Sequence, residues 1–318
     1  MGVYEVMVPR QIRRLWSERR WIKGTRMFIR VELITVMLSL SVGLIFPTYA
    51  SAAEGMVPQL VHFKGPGAQP LIGYLFRPGQ SAGRAPGIIL LHGRTGPYST
   101  AANGLYDATT LSKRHELWGR FWAEQGYYAL LVDSFSTRGY PEGFPIHSYD
   151  ERPDAVNEVT VRPFDAYAGL AYLKQQFFID ASRIALQGWS NGGSATIAAM
   201  AQETAAKAGV KENEGFAGAI AFYPACTLHH EYDASYLPYA PVRVFSGDED
   251  EEVSAERCRH LVTRSRAAGN DIEIVVYHGA THDFDDPGVR RQRVKANAEA
   301  AQDAFTRARN FIIQLFRR

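Results

Sequence analysis

Ten residues constrain this chain more than any others: Ile184-Ala185-Leu186-Gln187-Gly188-Trp189-Ser190-Asn191-Gly192-Gly193. An apolar, strand-like run enters Gly-x-Ser-x-Gly, and an alanine-rich stretch from Ser194 to Met200 leaves it. A strand that turns directly into a helix has little room at the turn, so Gly188 and Gly192 supply positions without a Cβ. Such a turn lifts the Ser190 hydroxyl above the sheet edge. It also sets that hydroxyl at a helix N-terminus, where partial positive charge favours a developing anion. The five-residue pattern alone would fit an ordinary glycine-rich turn. The strand before it and the helix after it single out a nucleophile elbow.

The surrounding chain alternates strand-like apolar runs with helical patterns, which predicts a mostly parallel sheet covered on both faces. Eight strands are expected, around 59–64, 71–76, 87–92, 127–133, 184–189, 217–223, 242–245 and 272–277. Gly65-Pro66-Gly67 makes the first two an antiparallel hairpin at a sheet edge. Helices are expected over about 111–124, 161–177, 254–268 and 289–315, besides the one after the elbow. Residues 134–158 lack periodicity and are rich in Gly and Pro, and connections this long in compact domains are usually functional or mobile.

The N-terminus reads as a separate device. Leu33 to Phe46 is a short apolar run that follows Arg19, Arg20, Lys23, Arg26 and Arg30 and precedes Ala50-Ser51-Ala52. Basic region, apolar core and Ala-x-Ala site make residues 1–52 a signal peptide, with 53–318 the catalytic domain. The long basic leader leaves two openings: Met27 as the true start, or Arg19-Arg20 as a degenerate twin-arginine signal. The run is shorter than the ~20 residues that span a bilayer, so no stable membrane span is expected after cleavage, and an uncleaved anchor is the weaker reading. The expected location is the periplasm or the exterior.

The formal charge is only +2, and no Lys/Arg block occurs after the leader, so nucleic acid is not an expected partner. Of the two cysteines, Cys226 follows a strand-like run and Cys258 lies in a helical pattern after the next one. In an exported chain these two could pair, the alternative being two buried thiols. Two cysteines give too few ligands for a metal site, and no cofactor-binding motif is present.

A serine becomes an effective nucleophile when a base takes its proton and a carboxylate fixes that base. After an elbow the expected order is Ser, then Asp or Glu, then His, each on a loop that follows a strand. His282 lies just past the last strand and stands out among nine histidines; His278, His229 and His230 read as surface residues. The acidic run Asp248 to Glu252 follows the preceding strand, with Asp250, Asp248 and Glu249 as the candidates. Ser254 is a ready N-cap for the helix beyond. An oxyanion hole would use the backbone N–H of Asn191 and one from His92-Gly93-Arg94-Thr95-Gly96, Arg94 being the expected donor. His92 itself reads as structural.

With these residues assembled, the chain resembles the dienelactone hydrolase family of the α/β-hydrolase superfamily, from about Val61 to Phe316. The pieces that carry the resemblance are LLHGRTG, VDSFSTRG, the helix from Arg162 with Asp165-Ala-Tyr, GWSNGG, FYPAC, GDEDEEVSAERC and YHGATHDFD. The resemblance implies an α/β-hydrolase fold and no cofactor. It also implies a small ester or lactone as substrate. The family places its carboxylate three residues after the glycine ending the penultimate strand, which selects Asp250, and its histidine in a segment matching His282. Dienelactone hydrolases proper carry a cysteine nucleophile, where this chain has Ser190. Arg94 and Arg138 could meet an acidic substrate group or brace loops. The competing readings are a peptidase of the same superfamily and a non-catalytic scaffold. The first ranks lower because no large N-terminal propeller is recognised.

Overall fold

The computed structural model describes residues 57–79 and 83–317. Eight strands form one sheet: β1 Gln59–Lys64, β2 Pro70–Phe76, β3 Ala85–Leu91, β4 Tyr128–Asp133, β5 Ile179–Trp189, β6 Ala219–Phe222, β7 Val242–Gly247 and β8 Ile272–Tyr277. Their order is β1-β2-β4-β3-β5-β6-β7-β8. β1 and β2 pair antiparallel, as do β2 and β4, and every other pairing is parallel. The sheet is therefore the α/β-hydrolase fold expected from the sequence.

Helices α1 (Lys113–Glu124), α2 (Arg162–Lys174), α3 (Asn191–Met200), α4 (Gln202–Lys207), α5 (Ala255–Ala267), α6 (Val289–Gln292) and α7 (Lys295–Leu315) complete it. Strands β3 and β6 are apolar and buried at every position because both faces are covered. On β3, Ile89 and Leu91 join a core with residues of α2, α3 and α5, while Ile88 and Leu90 join another with residues of α1 and α7. That division follows the two-residue period of a strand. Side chains of Ser112 and Ser254 accept backbone N–H groups at the starts of α1 and α5. Ser254 thus occupies the cap position its sequence suggested.

The expected terminal helix is in two parts. Val294 is extended between α6 and α7, and the buried Asn297 side chain donates to the Arg291 carbonyl at 3.1 Å and to Thr281 at 2.9 Å. That carbonyl also accepts the Val294 N–H at 3.2 Å, so the side chain adds a second tie across the break. α4 is an additional short element, and β5 starts earlier than its apolar run indicated. The signal-peptide reading falls on residues outside those described. Among the described residues no helix is long and apolar enough to cross a membrane.

Candidate active site

The elbow between β5 and α3 is built by close backbone approach. A Cβ on Gly188 would stand 2.2 Å from the Gly192 carbonyl oxygen, and one on Gly192 would stand 2.2 Å from that of Leu91. Neither position can carry a side chain without displacing the chain around it. Between them Ser190 adopts φ 53° and ψ −118°, a strained conformation for a non-glycine residue. Its N–H donates to the Phe222 carbonyl at 2.9 Å, and its own carbonyl accepts from the Ser194 N–H at 2.8 Å. The Ser190 side chain does not cap α3, which leaves its Oγ available to another group.

That group is His282. Its Nε2 lies 3.0 Å from Ser190 Oγ, and its Nδ1 lies 2.8 Å from Asp250 Oδ2. All three side chains are buried. Three loops, following β5, β7 and β8, meet at one edge of the sheet to make this contact. The other Asp250 oxygen accepts the N–H groups of Glu252 and Val253, each at 2.8 Å, which fixes the carboxylate plane. Of the other two candidates, Asp248 is committed to His278 and to the Gly279 N–H, at 2.8 and 2.6 Å. It clasps the loop after β8 from outside. Glu249 donates its backbone N–H to the Ala280 carbonyl at 3.1 Å.

Two further acidic residues enter the site. Glu251 accepts the His282 N–H at 2.9 Å and pairs with Arg291 at 2.6 Å. Glu252 is buried with its Oε2 3.6 Å from His282 Nε2, and it binds Arg94 through two hydrogen bonds of 2.9 and 2.7 Å. Burial alone would lower the imidazole pKa. The hydrogen bond to Asp250 and the charges of Asp283, Asp250 and Glu252 prevail, so His282 holds its proton above the ordinary 6.5. Burial likewise opposes ionisation of Glu252, but Arg94 and the His282 charge outweigh it and keep that carboxyl below 4.5. The sequence read the acidic run as rivals for one role, whereas three of its members meet His282: Asp250 and Glu252 at the two ring nitrogens and Glu251 at the backbone N–H.

Behind His282 a buried cluster anchors its loop. Tyr223, at φ 35°, sets its ring 4.6 Å from the imidazole and donates its hydroxyl to Asp285 at 2.5 Å. The other Asp285 oxygen accepts the indole N–H groups of Trp118 and Trp189, each at 2.8 Å. Arg114 adds an ion pair to Asp283 at 2.7 Å. None of these was singled out from sequence, because an Asp three residues past a histidine carries no signal until two tryptophans are seen to share it.

Asn191 is the first residue of α3, and Arg94 sits in the turn after β3. A Cβ on Gly93 would lie 3.6 Å from the Ser190 Cβ, so this turn runs beside the serine. His92 is structural, as expected: Nδ1 donates to the Gly93 carbonyl at 2.7 Å and Nε2 accepts the Ser134 N–H at 3.2 Å. Burial removes its charge. The long connection over 134–158 is stitched down rather than loose. Phe144 N–H donates to the Arg94 carbonyl at 2.8 Å, and Arg94 Nη1 donates to the Phe144 carbonyl at 3.0 Å. Arg138 forks onto Asp165 with two bonds of 2.8 Å. Both arginines therefore brace loops. Cys226 and Cys258 form a disulfide joining the loop after β6 to α5. A hydroxyl bonded to an imidazole whose far nitrogen meets a carboxylate is the geometry that general-base activation of serine needs.

Comparison with known proteins agrees with this architecture. Among solved structures, the chain is similar to a dienelactone hydrolase-like promiscuous phosphotriesterase, P91, from metagenomic libraries: 18% identity, TM-score 0.57, covering 82% of this chain and 99% of that one. It is also similar to Thermogutta terrifontis esterase 2, solved as its paraoxon-phosphorylated form: 18% identity, TM-score 0.54, covering 84% of this chain and 98% of that one. A curated relative is the uncharacterized peptidase YuxL of Bacillus subtilis, 24% identical over 75% of this chain. The chain spans 37% of that relative's length. These neighbours are all hydrolases, and the structural likenesses establish the fold. The profile of the dienelactone hydrolase family matches residues 71–316, and the chain belongs to that family.

Proposed function

We propose that this protein is a cofactor-free serine hydrolase of carboxylic esters or lactones, with Ser190, His282 and Asp250 as its catalytic residues. The observation that carries the reading is the unbroken chain of contacts, 3.0 Å from Ser190 to His282 and 2.8 Å from His282 to Asp250, buried throughout. His282 Nε2 takes the Ser190 proton as Oγ bonds to the substrate carbonyl carbon. The carbonyl oxygen becomes an anion, held by the N–H groups of Asn191, at the start of α3, and of Arg94, in the turn after β3. The bond to the alcohol oxygen then breaks as His282 returns its proton to that oxygen. Water, activated by the same imidazole, attacks the acyl-enzyme, and the acid leaves with Ser190 restored. In a lactone the alcohol and the acid are parts of one molecule.

Residues 53–318 form the catalytic domain in this reading and 1–52 an export signal, with the enzyme acting in the periplasm or outside the cell. The disulfide supports that assignment, since such bonds persist in oxidising compartments. The organophosphate chemistry named for two structural neighbours suggests a direct probe: paraoxon should phosphorylate this chain at Ser190, one per molecule by mass. Ser190→Ala should abolish hydrolysis of a p-nitrophenyl ester with thermal stability nearly unchanged, and retained turnover would refute the assignment. The likeness to a named peptidase keeps amides in view. Comparing a p-nitroanilide with the matched p-nitrophenyl ester decides between them; a faster anilide would make the enzyme a peptidase.

A further inference from the structure

An oxyanion hole made from two separate elements needs something to hold those elements at a fixed distance. Its donors must stand about 2.7–3.1 Å from one oxygen, and misplacing them costs rate. In this protein one donor belongs to α3 and the other to the turn after β3. The side chain that joins those two elements is Arg162, the first residue of α2. It is 0% exposed. Its Nη1 donates to the side-chain oxygen of Asn191, and its Nη2 donates to the carbonyl of His92 at 2.8 Å. Its Nε has no hydrogen-bond partner among the described residues.

The electrostatic setting of Arg162 is unusual for a buried cation. Arg138, close by, takes both oxygens of Asp165, so that carboxylate is already neutralised. The Arg162 guanidinium rests 4.9 Å from the Phe135 ring and binds two neutral oxygens. Burial pulls its pKa down to about 10, with Asp165 and Glu158 opposing, so it remains charged at neutral pH. A buried charge without a hydrogen-bonded counter-ion is costly to keep. Its partners indicate what the cost secures. Asn191 follows the nucleophile directly, and His92 precedes Arg94 by two residues.

We propose that Arg162 is a positioning residue of the oxyanion hole: its rigid fork ties Asn191 to the β3 turn, sets the spacing of the Asn191 and Arg94 N–H groups, and backs them with a positive charge. This rests on the serine-hydrolase reading above. The fork matters because a lysine ammonium, a single point on a flexible stem, cannot hold both oxygens in one plane.

The test uses Arg162→Met, Arg162→Lys and Asn191→Ala, with active enzyme counted by end-point labelling with a fluorophosphonate. For Arg162→Met, kcat on p-nitrophenyl acetate should fall roughly 10- to 100-fold while KM stays within about twofold, the signature of an interaction lost in the transition state. Inhibition by phenylboronic acid, whose tetrahedral adduct places an oxygen in the hole, should weaken in step with kcat. Arg162→Lys should fall between the two. Asn191→Ala should lose a similar factor, and the double variant should be little worse than either single one. If Arg162→Met does not fold, the lysine and alanine variants decide. A folded variant with full kcat and undiminished boronate affinity overturns the proposal, as does a lowered melting temperature with both unchanged. Ser190→Ala separates the two readings. Activity there sinks the nucleophile assignment, whereas a dead Ser190→Ala beside an active Arg162→Met sinks only the role of Arg162.

Discussion

The two halves of the candidate site are built from opposite materials. Around Ser190 the elements meet through bare backbone: Gly188 and Gly192 are pressed against carbonyls, and the buried charge is the cation of Arg162. Around His282 the contacts are carboxylates: Asp250 on one nitrogen, Glu252 near the other, and Glu251 on its backbone N–H. The proposed chemistry makes an anion on the first side and an imidazolium on the second. Each charge would therefore form where the fold already holds the opposite sign, without reorganisation at the moment of reaction. The ion pair between Arg94 and Glu252 bridges the halves.

The sharpest way to break that comparison is to remove charge from the acidic half while keeping its shape. Asp250→Asn can still accept the N–H groups of Glu252 and Val253 through its amide oxygen. Its NH2 group would then face His282 Nδ1 and favour the wrong tautomer. We expect kcat on a p-nitrophenyl ester to drop about 10⁴-fold with little change in melting temperature. A loss below tenfold would mean that the carboxylate half is scaffolding.

The disulfide tests whether the acidic half needs a covalent tie. Cys226 lies on the loop that carries Tyr223, and Cys258 on the helix that follows the carboxylates, 32 residues later. Closing a loop of that length is worth about 3–4 kcal/mol in the chain-entropy account. Cys226→Ser with Cys258→Ser should lower the urea midpoint accordingly and leave kcat within about twofold at low temperature. A collapse of kcat in a still-folded variant would show that the bond sets the active geometry rather than stability.

Most of the architecture was legible because it rests on local patterns. The apolar runs of the central strands, the cap at Ser254, and the glycines at 188 and 192 all state their purpose within a few residues. Ser190 and His282 were readable for the same reason, each standing at a strand end in the expected order. Asp250 needed the family pattern, since the acidic run offers several carboxylates and only the folded loop shows that Asp248 turns outward to His278. Arg162, Glu252 and Asp285 were not readable at all. Their meaning lies in partners 29, 158 and 167 residues away, Asn191, Arg94 and Trp118 respectively, and no spacing rule connects them. The break between α6 and α7 was hidden likewise, because the Arg291 carbonyl that a continuous pattern promised to the helix is met instead by the Val294 N–H and the Asn297 side chain.

The smallest expected effect probes the seam between the halves. Glu252→Gln keeps the size of the side chain and removes a negative charge 3.6 Å from His282 Nε2. That charge favours the imidazolium and is indifferent or unfavourable to the neutral ring, whose lone pair points the same way. His282 must be neutral to accept the serine proton, so its raised pKa puts the acid limb of kcat/KM above pH 6.5 in the native protein. The variant should move that limb to lower pH, with the plateau rate changing by less than about tenfold, the equivalent of one pKa unit. Stability should carry the same sign. A histidine whose folded pKa is raised contributes fully below its unfolded 6.5, and that contribution is lost as pH climbs through the folded value. Glu252, with a depressed pKa, contributes above its unfolded 4.5 and loses its share as pH falls through the lower folded value. The melting-temperature advantage of the native protein over Glu252→Gln should therefore be largest between these two values and shrink above neutrality. An acid limb that stays put, or moves up, would show that Glu252 serves Arg94 alone and that the carboxylate half acts on the imidazole through Asp250 without it.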